Sequence, residues 1–320
     1  MRHVQLSSLA ISIVSSFALL TGCSSGSGAN PGATGTGGTG GAGVAVGTLS
    51  GNVVVELVSD QNYATVTAQI FDGPKPLANP SVGPLSISQT IGGCQLLVPT
   101  VASCSPACVA PEVCGDNGHC AAIPTSQNVG VLHIEGLAGM ELALDPVAPA
   151  FAYAGPTLPD PPCAEGADVK VQSDRFALTG KCIAALKLSG PDPIPVKSGQ
   201  VVHFTWAAPG KTGISRIQIA LEISHHGGYK GEIDCDVPDT GMFDIPAPLV
   251  TDLVKLGVAG YPTVFVSRIS EAPAPTQTGV KLTLLSSTVR NVDTGVVSCG
   301  MGTSTCPTGT TCDNATKTCK

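Results

Sequence analysis

Four carboxylates crowd one short stretch of this 320-residue chain: Glu232, Asp234, Asp236 and Asp239. The first three alternate with Ile233, Cys235 and Val237, so in a strand they project from one face and the apolar residues from the other. Asp239 follows in the turn. Oxygen ligands gathered in this way could hold Ca²⁺, which takes about six to eight of them. The stretch lacks the spacing and terminal Glu of an EF-hand loop, and the same stripe serves equally as the solvated face of a half-buried strand. Like charges along one face repel, which leaves two neutralising partners open, a cation or the ammonium of Lys230.

Other constellations carry less chemistry. Asp239-Thr240-Gly241 and Asp293-Thr294-Gly295 both spell the Asp-Thr-Gly of aspartic proteases, where two carboxylates share one proton. Met242 and Val296 stand where that family carries Ser, Thr or Ala, and the copies are only 54 residues apart, so both read as turns. His225 and His226 close the most regular strand. Neighbours in a strand end point to opposite faces, so a turn is the main reading, with one of them beside Asp234 or Asp236 across a hairpin as a zinc or copper alternative. Serine chemistry has no nucleophile elbow set between a strand and a helix, and no His-Glu-x-x-His occurs. Aromatic residues are 4% of the chain and the single Trp, Trp206, falls on an inward-facing position, which argues against a sugar-stacking face. Gly35-x-Gly37-x-x-Gly40 lies in low-complexity sequence with no strand before it or helix after it, so it does not read as a dinucleotide loop.

The cysteines set the compartment. Arg2 and His3, the apolar run Leu9–Leu20 and then Leu20-Thr21-Gly22-Cys23 read as a signal peptide ending at a lipobox. The run is too short to span a bilayer as a mature helix. Cleavage after residue 22 would leave Cys23 to carry diacylglycerol and palmitate-type acyl chains, each buried CH₂ contributing about 0.8 kcal/mol to anchoring. By resemblance to the sorting rule of enterobacterial lipoproteins, Ser24 in place of Asp after the lipidated cysteine implies the outer membrane or cell surface. Of the thirteen cysteines twelve then remain, Cys94, Cys104, Cys108, Cys114, Cys120, Cys163, Cys182, Cys235, Cys299, Cys306, Cys312 and Cys319, an even number that suits disulfides in an exported chain. The spacings Cys108-x5-Cys114-x5-Cys120 and Cys306-x5-Cys312-x6-Cys319 are longer than the Cys-x2-4-Cys of zinc sites. Each cluster is expected to pair internally, Cys163 with Cys182, and Cys94 with Cys235. The last bond would make the body one contiguous unit.

The elements that must position these groups are strands. Charged residues are 12% of the chain, against 39 Gly and 26 Pro, a balance that favours strands and turns. Residues 1–22 form the signal and 23–48 the lipidated cysteine with a Gly/Ser/Thr linker, which as a coil of about 25 residues spans roughly 25 to 30 Å. Residues 49–298 form the body, with a Cys-rich insert at 94–120, and 299–320 a C-terminal Cys-rich segment. The period-two alternation of Ile217, Ile219, Leu221 and Ile223 is the clearest strand, and about a dozen such runs predict an all-β body, one large sandwich or two packed ones. One short helix opens at Pro246-Ala247-Pro248, places Leu249, Leu253 and Leu256 on one face and stops at Gly257, capping one end of the sandwich.

Three stretches, the lipobox with its linker, the insert Cys104–Cys120 followed by Val129–Gly136, and Gly231–Gly257, resemble Cys-rich surface lipoproteins of the myxobacterial type. The resemblance implies export, a lipid anchor and a β-rich body, and no activity. Without the signal the chain holds 15 basic and 23 acidic residues, with no basic cluster to follow phosphates. The expected function is that of a membrane-anchored, non-catalytic binding or structural module with a protein or glycan partner, no nucleic acid and no cofactor. A hydrolase of unknown class and a calcium-stabilised adhesin are the alternatives.

Overall fold

A computed structural model of the chain describes residues 49–58, 60–73, 85–100, 104, 108–109, 112–114, 120–225, 229–272, 279–297, 299, 306–313, 315–316 and 318–319. The expected signal, Cys23 and the expected linker lie outside them. Along the chain come β1 (Ser50–Val58), β2 (Tyr63–Phe71), β3 (Leu85–Ile91), β4 (Cys94–Pro99), β5 (Glu112–Cys114) and β6 (Cys120–Ala122). Next follow β7 (Leu132–Leu137), β8 (Met140–Leu144), β9 (Tyr153–Ala154), β10 (Leu158–Pro159), β11 (Asp168–Gln172), β12 (Ala177–Lys181), β13 (Leu188–Ser189) and β14 (Ile194–Pro195). The second half holds β15 (Val202–Trp206), β16 (Arg216–Glu222), β17 (Glu232–Pro238), β18 (Met242–Ile245), α1 (Ala247–Lys255), β19 (Thr263–Glu271), β20 (Gly279–Asp293), β21 (Cys312–Asp313) and β22 (Thr318–Cys319).

One long sheet organises the body, in the order β10-β2-β1-β20-β19-β16-β17-β4-β3. It is antiparallel except at β20, which runs parallel to β1, Val53 opposite Leu282 and Val55 opposite Leu284, and to the short β14, Ile194 opposite Val292. Two smaller sheets cover separate halves of its inner face. Val53, Val55, Leu57, Val66, Leu282 and Leu284 pack with Leu132, Ile134, Val169 and Leu178 of the four-stranded sheet β12-β11-β7-β8. The sheets approach so closely that a Cβ on Gly180 would stand 2.9 Å from Leu284 Cδ1. Ile217, Ile219, Leu221, Ile233 and Val266 pack with Phe204 and Trp206 of the sheet β13-β15-β18, and with Leu249, Val250 and Leu253 of α1. The body is therefore two sandwiches sharing one sheet, and each large side chain buried in either contributes about 1.5–3 kcal/mol.

The helix forms where its boundary residues place it. Pro246 supplies the extended cap and Gly257, at φ +88°, turns the chain out of it. It packs against β17 and β4 at that end of the long sheet.

Cys94 and Cys235 face each other on the paired strands β4 and β17, with Cα atoms 4.0 Å apart, and are bonded. Cys94–Pro99 is thus a strand of the body, so the Cys-rich insert begins after residue 100 and not at 94. Cys163 bonds Cys182, Cys108 bonds Cys120, Cys299 bonds Cys312 and Cys306 bonds Cys319. The Cys114 side chain lies outside the described residues. Residues 45–320 form one compact unit that includes the C-terminal Cys-rich segment. That segment docks through Cys319 N–H donating to Val297 O at 2.8 Å.

Candidate functional site

Strand β17 turns Ile233, Cys235 and Val237 into the second core and Glu232, Asp234 and Asp236 to the outer face of the long sheet. At one end of this face the charges balance. Arg216 donates from Nε to Asp236 at 2.9 Å and from Nη2 to Glu271 at 2.7 Å, with Lys281 Nζ 3.9 Å from Glu271. Such exposed pairs are each worth at most about 1 kcal/mol.

At the other end they do not balance. Register places Glu222 of β16 directly opposite Glu232, and Ala220 opposite Asp234. Burial, then Asp234, then Glu222 push the Glu232 carboxyl up to about 7, and burial also raises Asp234. Tyr229 stands beside Glu232; burial and the surrounding carboxylates push its hydroxyl well above the ordinary tyrosine value. His225 pairs through Nδ1 with Glu222 at 3.1 Å and sets its ring edge-on to Phe265, centroids 5.8 Å apart. Lys230, one of the two neutralising partners left open by the sequence, instead donates to Thr316 O at 3.3 Å. His226 lies outside the described residues.

Asp239 leaves the candidate calcium set altogether. Period two continues past β17 and carries Asp239 to the inner side, where it is 2% exposed against Arg268 at 1%. Arg268 donates from Nε to Asp239 Oδ2 at 2.6 Å, from Nη2 to Asp239 Oδ1 at 3.1 Å and to Ala207 O at 2.7 Å, and from Nη1 to Ala185 O at 3.0 Å. Trp206 Nε1 and Ser215 Oγ each donate to Asp239 at 2.7 Å. Burial alone would raise the Asp239 carboxyl, but the bonds from Arg268, Ser215 and Trp206 outweigh it and hold the group below its ordinary value. Ser286, opposite Arg268 on β20, accepts from Leu186 N–H at 2.9 Å. The polar seam lies where the shared sheet passes from one core to the other. The second Asp-Thr-Gly is a turn in which Asp293 Oδ1 accepts from Gly295 N–H at 2.9 Å.

Among the described residues, the sets of three His, Cys, Asp or Glu ligand atoms lying within 4.8 Å of one another are Cys104, Cys108, Cys120 and Cys299, Cys306, Cys319. The carboxylates of Glu232, Asp234, Asp236 and Asp239 form no such set, so they make no ready Ca²⁺ cage. The cysteine sulfurs meet because they are disulfide-bonded, not as thiolates poised for a metal.

Glu222 alternates with Leu221 and Ile223 and so faces outward, but its register with Glu232 is set only by the fold, as are the positions of Tyr229, Thr263 and Phe265. For Arg268 a signal existed: it continues the inward row Val264, Val266. No protein-family model matches the chain, and no curated protein does.

Proposed function

We propose that the chain is an exported lipoprotein, held in the outer membrane or at the cell surface by acyl groups on Cys23, whose two-sandwich body is a non-catalytic binding or structural module. The observation that carries this reading is the state of the cysteines. All eleven whose side chains are described are disulfide-bonded, which is the chemistry of an oxidising compartment outside the cytoplasm. The lipobox Leu20–Cys23 and the Gly/Ser/Thr run behind it give the matching address and tether. The uncompensated carboxylates on the outer face of the long sheet suit a protein or glycan partner carrying complementary charge, and oppose nucleic acid. Metabolic labelling with an alkyne fatty acid tests the anchor: the wild type should be labelled and Cys23→Ser should not. An unlabelled wild type contradicts it.

A further inference from the structure

We propose that the outer face of the long sheet binds a guanidinium group, seated over Ala220 between the Phe265 ring and the carboxylates of Glu222, Glu232 and Asp234. This deepens the binding reading of the body, and its test stands apart from that of the anchor.

Register fixes the neighbours. Thr263, Glu222 and Glu232 stand side by side on β19, β16 and β17, and Phe265, Ala220 and Asp234 form the next row. Strands lie about 4.8 Å apart and same-face neighbours along a strand about 6.7 Å apart. Phe265 and Asp234 therefore flank Ala220 with roughly 10 Å between their strands, and the alanine methyl leaves a dent between two larger side chains. Ala220 keeps partial solvent exposure, so the dent is open to a planar group.

A second observation is independent of the carboxylates. Thr263, in the same row as Glu222, is only 7% exposed, and its Oγ1 has no hydrogen-bond partner. The Tyr229 hydroxyl lies buried against the Glu232 carboxylate. A buried hydroxyl left without a partner costs about 1–3 kcal/mol, so Thr263 at the edge of an acidic dent marks where an N–H donor is wanted.

The class of ligand follows from spacing. A single metal ion needs ligand atoms closer together than these carboxylates provide, since among the described residues only cysteine sulfurs gather three within 4.8 Å. An ammonium is a compact point charge. A guanidinium spreads five N–H donors over a planar fork, reaches separated carboxylates and stacks on an aromatic face. Phe265, in contact with the His225 ring, supplies the aromatic wall beside Ala220.

The test uses the mature chain carrying Cys23→Ser, which is free of lipid however the anchor test falls, and reads backbone amide shifts by NMR. N-acetyl-argininamide should give saturable shifts at Glu222, Glu232, Thr263 and Phe265 in about the millimolar range expected of one small cation. N-acetyl-lysinamide should bind more weakly. Glu222→Gln with Glu232→Gln should weaken the arginine probe by about tenfold or more, and Asp234→Asn serves if that pair fails to fold. Shifts spread equally over the exposed carboxylates Glu135 and Asp168 of the four-stranded sheet would overturn the proposal. So would a lysine probe binding as well as arginine, or CaCl₂ moving the same amides at lower concentration.

Discussion

Replacing Glu232 with Gln should stabilise the protein at pH 8 and leave it unchanged at pH 4.5. In the unfolded chain this carboxyl releases its proton near 4.5, whereas in the folded protein burial and the neighbouring Asp234 and Glu222 raise that value to about 7. Below 4.5 both states hold the proton and the group contributes nothing. As pH rises from 4.5 to 7 the unfolded state alone is ionised, so stability falls, and above 7 the full penalty is present. At about 1.4 kcal/mol per tenfold change in proton affinity, the penalty has a ceiling of about 3 kcal/mol. Solvent reaching this half-buried group reduces it to roughly 1–2 kcal/mol. Gln keeps the shape without the charge, so its urea midpoint should exceed that of the wild type at pH 8 and match it at pH 4.5, with unchanged slope. Parallel pH profiles for the two proteins, or a less stable variant at pH 8, would show that the charge at Glu232 is not the source of strain.

The seam between the cores responds in the opposite sense. Asp239→Asn should cost about 3–5 kcal/mol because it leaves Arg268 buried without its counter-charge, while Asp239→Leu with Arg268→Met should recover much of that loss; urea unfolding of both variants checks it. Since the Asp239 carboxyl is held below its ordinary 3.8, its stabilisation is present above that pH and is lost as pH falls through the depressed folded value, which an acid titration of the wild type and Asp239→Asn compares. Removing the Cys94–Cys235 bond, whose ends are 141 residues apart, should cost about 5 kcal/mol in the chain-entropy model. Loss of Cys108–Cys120, with a separation of 12, should cost about 3 kcal/mol; thermal melts of the paired Cys→Ala variants compare them.

Strands with strict alternation were legible in the residues alone. Ile217, Ile219 and Leu221 face the core with Gln218 and Ala220 outside, as period two requires. β4 was not legible, because Cys-Gln-Leu-Leu-Val-Pro offers little contrast between its faces, and neither was β12, where Gly180 packs inward in place of a large apolar residue. The shared sheet was hidden for a different reason. Its defining pair, β1 beside β20, joins the two ends of the body in parallel, and local pattern carries nothing about such long-range neighbours. Only Cys94 and Cys235 signalled one of these contacts. The acidic face of β17 was readable from spacing, but its opposition to Glu222 depends on a hairpin register set by the intervening loop. Asp239 was misplaced although parity with Val237 already pointed it inward.

The anchor and export of the chain are tested most directly by the mass of its own N-terminus. The protein purified from membranes, digested and analysed without reduction, should yield an N-terminal peptide that begins at Cys23 and carries a thioether-linked diacylglycerol and an acylated amine. A peptide that begins elsewhere, or one that contains an unmodified Cys23, would contradict the account.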